Sequence, residues 1–103
     1  MLLHPIEIDQ NASSGTWSVN TTRISGGQLI QIYIKAASDT TTFDFKIIDE
    51  KDNVVYDTEF FGKTATGVLN DMEIALPMLG KYTLTLYNAS ADENFKGRLI
   101  ITT

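Results

Sequence analysis

The chain contains no cysteine, a single histidine and two prolines, and its 8 basic residues are outnumbered by 13 acidic ones. The missing cysteines exclude a disulfide scaffold, a thiolate metal site and a cysteine nucleophile. One imidazole excludes sites built on several histidines. A net charge of −5 works against binding nucleic acid, whose phosphates call for a basic face. No window approaches the roughly 20 apolar residues of a membrane helix. The opening residues, Met1 to Glu7, lack the basic start and long apolar run of a secretory signal, so no leader is expected there. Phosphate-cradling glycine loops of the G-x-x-x-x-G-K-[ST] or G-x-G-x-x-G kind are absent.

What is present is enough apolar material for one core. The 103 residues are 43% hydrophobic and 20% charged, which predicts one domain over residues 1–103, with 1–5 as a candidate N-terminal arm. Period two dominates. Ile6 and Ile8 alternate with polar neighbours, and Trp17 and Val19 share a face. In Gln28–Ala36, residues Ile30, Ile32 and Ile34 point one way while Gln31, Tyr33 and Lys35 point the other. Phe43, Phe45 and Ile47 alternate next. Asp49–Asn53 reads as a hairpin connection into Val54–Phe60, with Asn53 as the left-handed residue. Val68–Leu76 carries both helical and alternating spacing and is read as a strand, because nine residues are short for a stable helix. Tyr82, Leu84 and Leu86 form a further inward set, and Phe95, Leu99 and Ile101 close the chain with Gly97 as a bulge between them. The predicted fold is all-β: an antiparallel β-sandwich, jelly-roll-like, of about eight strands.

Few residues carry chemistry. His4 stands alone at the start and reads as an exposed edge residue. Asp49-Glu50-Lys51-Asp52 could offer oxygens to a hard cation, but lacks the D-x-[DN]-x-[DN]-G spacing and holds a lysine, so it reads as a solvated turn. The sequons at Asn11, Asn20 and Asn88 read as turn sequence. No catalytic residue, metal ligand or cofactor is expected. The candidates for partner contact are apolar groups in places that should face water. Tyr33 and Tyr87 fall on the polar register of their strands. Phe60 and Phe61 are adjacent in a strand, so one of them, taken as Phe61, should leave the core. Met1, Leu2 and Leu3 precede the first alternation, and Met78 and Leu79 lie in a Pro-Gly corner; these five either dock on a neighbour or cap the open end of their own sandwich.

The block Leu76–Tyr87 resembles the late-strand corner of jelly-roll-like sandwiches, including accessory domains of the prepeptidase C-terminal type. The whole chain is similar in style to small bacteriophage virion proteins of the capsid decoration, or cement, type: short, cysteine-free, acidic, rich in Thr and Asn. The segments that carry this likeness are Thr16–Ile24, Phe43–Asp57 and Leu76–Tyr87. The resemblance implies a non-enzymatic virion structural protein bound at capsomer junctions, with tail or neck attachment as a close variant. The implied partners are viral structural proteins such as a major capsid protein, or further copies of the chain, with neither nucleic acid nor membrane. The implied location is the virion, assembled in the host cytoplasm. The alternative is a carbohydrate- or calcium-binding β-sandwich accessory module.

Overall fold

The alternating segments become strands, and their register assigns each to one of two sheets. A computed structural model describes residues 2–103. Among them are ten strands: β1 (Leu3–Ala12), β2 (Trp17–Asn20), β3 (Gln28–Ala36), β4 (Thr42–Asp49), β5 (Val54–Asp57), β6 (Ala65–Thr66), β7 (Val68–Asp71), β8 (Leu76–Pro77), β9 (Tyr82–Tyr87) and β10 (Glu93–Thr102). One sheet runs β1-β10-β3-β7, with β8 beside the start of β3; the other runs β2-β9-β4-β5. Every pairing is antiparallel, and two-residue β6 joins β7 to the first residues of β4, tying the sheets at one corner. Setting aside the short β6 and β8, first strand pairs with last, second with second-last, third with sixth and fourth with fifth. That nested pairing is the jelly-roll winding. The radius of gyration is 12.9 Å.

The core lies between the sheets. Ile32, Ile34, Phe95 and Leu99 from one meet Phe43, Phe45, Ile47, Leu84 and Leu86 from the other, all fully buried. Phe43 packs edge-on against Phe95 at 5.1 Å between ring centroids. Two register details depart from simple alternation. Leu29, not Ile30, is buried, because the pairing with β10 slips between Ile100 and Ile101 and leaves Ile30 as the extra residue of a bulge. Gly97, read as the bulge, instead pairs regularly with Ile8 and Ile34.

Three further expectations change. The start is no free arm: Leu3–Pro5 belong to β1, and Leu2 and Thr103 exchange backbone hydrogen bonds at 3.3 and 3.0 Å. That exchange makes the even-numbered residues of β1 face β10, so Leu3, Pro5, Glu7 and Asp9 turn their backbone outward. A proline without N–H and two carboxylates on a free edge discourage pairing with another strand. The stretch Val68–Leu76 is two short strands, β7 and β8, interrupted where β3 bulges, and Asp71 rather than Met72 points inward. In the β4–β5 hairpin the left-handed residue is Asp52, at φ 64°, not Asn53.

Trp17 is buried against Phe45, 6.2 Å between centroids, and its indole Nε1 has no hydrogen-bond partner among the described residues. An unmet buried donor carries a penalty of about 1–3 kcal/mol. Trp17→Phe, which removes the donor and keeps a ring, is therefore expected to stay within about 1 kcal/mol of the parent in urea melts. Trp17→Ala should lose about 3–5 kcal/mol.

Candidate interaction surface

β5 stops at Asp57 because the next residues spend their polar groups on a turn. The Phe61 amide donates to the Asp57 carbonyl at 3.1 Å, Gly62 to Glu59 at 3.2 Å and Lys63 to Thr58 at 2.7 Å. Gly62 takes φ +67°, a conformation that side chains rarely adopt. Two buried residues anchor the turn. Thr58 accepts from the Phe45 amide at 2.9 Å and donates to Asp44 at 3.0 Å. Asp44 also accepts from Thr64 at 2.6 Å and from the Asn88 side-chain amide at 3.1 Å, and that amide donates again to Glu59 at 3.0 Å. One carboxylate therefore gathers both ends of the β5–β6 connection and the β9–β10 loop.

This scaffold holds two aromatic rings in water. Phe60 is 82% exposed and Phe61 53% exposed, so both leave the core, where alternation within a strand predicts only one. They pack edge-on at 5.4 Å, and Phe61 leans on buried Tyr56 at 5.9 Å. Beside Phe61 runs a groove of about 420 Å³, walled by Val55 and Tyr56 on one side and by Ile74, Ala75 and Leu76 on the other. It lies where the outer strands β5 and β7/β8 leave the sandwich open. Val54 and Met72, next to its wall residues in sequence, are exposed as well. Such a rigid apolar patch is what protein–protein contacts use as an anchor.

The groove ends on a polar cluster. Asp71 accepts from the Tyr56 hydroxyl at 2.8 Å, from Lys63 at 3.1 Å and from the Glu73 amide at 3.0 Å. Burial pushes its carboxyl up, but these three donors outweigh burial and hold it below the usual aspartate range. Burial, and then the Asp71 carboxylate, push the Tyr56 hydroxyl well above its ordinary value. The signs give opposite pH limits. A lowered carboxyl stabilises the fold above its ordinary value near 4 and loses that contribution as pH falls through the folded value. A raised phenol contributes below its ordinary value near 10 and loses it as pH rises further. Asp71→Asn is expected to lose about 1–3 kcal/mol at pH 7. The gap to the parent should narrow at pH 2, read by urea melts at both values; a constant gap would contradict the assignment.

The remaining candidates are scattered. Met1 lies outside the described residues. Leu2 and Leu3 are exposed at the end of the sheet that begins β1, and Leu79 is exposed in the Pro-Gly corner. Met78 is only 1% exposed, which corrects its reading as a contact residue. Pro77 pairs with Gln28 and the Met78 amide donates to Gly27 at 2.9 Å, so the Met78 side chain turns under the corner into the core. The Tyr82 hydroxyl steadies that corner, accepting from the Leu79 amide at 2.8 Å and donating to its carbonyl at 3.0 Å. Tyr33 is half-buried on the outer face of the β1-β10-β3-β7 sheet. Tyr87 is half-buried on the other outer face, donating to Asp57 with the Lys46 ammonium 5.0 Å above its ring. Burial, then the Asp57 carboxylate, raise its hydroxyl.

Neither buried carboxylate offers a free oxygen, since both oxygens of Asp44 and of Asp71 accept hydrogen bonds. In the acidic hairpin, Asp49 accepts from the Lys51 and Asn53 amides at 2.9 Å each and from the Asn53 side chain at 3.2 Å. The Asn53 amide leads in lowering its carboxyl. Among the described residues, no three His, Asp or Glu are grouped to hold a metal ion. His4 meets Thr103 at 3.2 Å on the exposed edge. No helix of the described residues is long and apolar enough to cross a membrane. No protein-family model matches the chain, and no curated protein is significantly similar to it.

Proposed function

We propose that this jelly-roll domain is a non-enzymatic virion structural protein of the capsid decoration type, docking on a viral shell protein through the Phe60–Phe61 turn. The observation that supports this reading is the turn itself, which holds two phenylalanines in water on a buried Asp44–Thr58 anchor. Each ring that becomes fully buried in a contact contributes roughly 1.5–3 kcal/mol. One copy then needs only a modest interface, because the symmetry of a shell repeats it. The acidic surface of the domain favours a partner whose junctions are neutral or basic.

The test is sedimentation of the purified domain with assembled capsid shells from the virus whose genome encodes this chain. Binding that saturates at a fixed ratio to capsomers, and falls at least tenfold in Phe60→Ala/Phe61→Ala, is the expected result. Absence of the domain from both sedimented shells and purified virions would refute the reading.

A further inference from the structure

The geometry points to a second binding surface: the outer face of the β1-β10-β3-β7 sheet takes a short stretch of acidic polysaccharide. This face forms a shallow concavity of about 770 Å³ and shares no lining residue with the Phe61 groove. Register lays its side chains out in rows. Glu7, Arg98, Tyr33 and Asn70 stand opposite one another across the four strands, and Asp9, Lys96 and Lys35 form the next row. Four strands span about 14 Å, and directly opposed side chains are neighbours at about 5 Å.

This face carries three cations against the two carboxylates of Glu7 and Asp9, a net +1 in a chain of net charge −5. Of 8 basic residues, three, Lys35, Lys96 and Arg98, line this one concavity. The ion pairs among the described residues are Arg23–Glu50 and Lys63–Asp71, so none of these three cations has a carboxylate within 4.0 Å. An unpaired guanidinium presents a fork suited to a carboxylate, and two ammonium groups lie one row away. Tyr33 sits between Arg98 and Asn70, where its ring can underlie the C–H face of a sugar while its hydroxyl stays wet. Gln31 donates to Asn70 at 3.2 Å, which fixes an amide pair beside the ring. Glu7 and Asp9 stand beside Arg98 and Lys96 on the neighbouring strand, beyond 4.0 Å, so the face offers acceptors and donors side by side, as a ligand rich in hydroxyl groups requires.

An acidic peptide fits less well. Seven of the ten residues that line the concavity carry a charged or amide side chain, which leaves little to hold an apolar anchor, and Pro5 with Glu7 and Asp9 closes the adjoining free edge to an added strand. A polymer with a carboxylate on every sugar or every second sugar satisfies the cations, the ring and the amides together.

The test is affinity electrophoresis of the domain through gels containing polygalacturonate, alginate or hyaluronate, with dextran as the neutral control. Retardation is expected on at least one acidic polymer, weakening with salt and absent on dextran. Arg98→Gln and Tyr33→Ala should each weaken it at least tenfold with an unchanged melting profile. Lys96→Gln, at an exposed site, gives a second reading should Tyr33→Ala not fold. Phe61→Ala should bind as the parent does, which separates this surface from the docking groove. The proposal is overturned by no retardation on any acidic polymer, or by equal retardation on dextran. Unchanged binding in the folded variants, or equally strong competition by poly-glutamate, which would mark the face as a site for acidic protein, overturns it as well.

Discussion

Phe45→Ala is expected to destabilise the domain by about 3–5 kcal/mol, a large part of the 5–15 kcal/mol that holds a typical domain together. Phe45 is fully buried and sits between two other rings, with centroids 6.2 Å from Trp17 and 6.5 Å from Tyr56. Its strand is the pivot of the second sheet, paired with β9 on one side and β5 on the other. Neither neighbour strand can collapse into the space without breaking a ladder, so most of the ring's volume would remain as a cavity. The backbone of Phe45 also exchanges hydrogen bonds with Thr58, at the root of the exposed turn. The variant should therefore loosen the Phe60–Phe61 turn as well as the core. Urea melts that show a lower midpoint and the same slope would support this; a loss under 1 kcal/mol would mean that the core repacks.

The second large effect concerns one hydrogen atom. Gly97→Ala is expected to cost about 3 kcal/mol or more, at the upper end of what overpacking produces. A Cβ at this position would lie 1.9 Å from the Tyr33 carbonyl oxygen and 2.8 Å from the Ile34 Cα. Both are backbone atoms of β3, held by their own ladder to β7, so they cannot step aside as a side-chain tip could. Relief would require β10 and β3 to separate at the middle of the sheet. The neighbouring exposed Lys96→Ala should stay within about 0.5 kcal/mol and serves as the control. If both variants melted alike, the close approach of β10 to β3 would be disproved.

Much of the fold was legible because alternation is a local property. Ile32, Ile34, Phe43, Phe45, Ile47, Leu84 and Leu86 are buried in the register that their spacing predicts. The sandwich class followed from that rhythm together with the turn residues between strands. The strand order did not, since nothing local says that the first strand lies against the last. The bulge at Ile30 shows the same limit at the scale of one residue. Its cause is a slip against β10, some 70 residues away in sequence, and the slip moves Leu29 inward in place of Ile30.

The exposed apolar groups were partly legible. Tyr33, Phe61 and Leu79 sit where apolar groups meet water, as their positions suggested. Met78 was not legible, because only the pairing of Pro77 with Gln28 turns its side chain inward. Nor was the exposure of Phe60, which depends on β5 ending at Asp57. The buried carboxylates were the least visible. Asp44 is satisfied by groups 14, 20 and 44 positions away, and Asp71 by a tyrosine 15 positions away. The sequence by itself determined which residues can share a face, because side chains in an extended chain alternate whatever surrounds them. Only the tertiary structure decided which of those faces close on one another, which charges find donors and which rings stay in water, because each of these depends on partners brought together from distant parts of the chain.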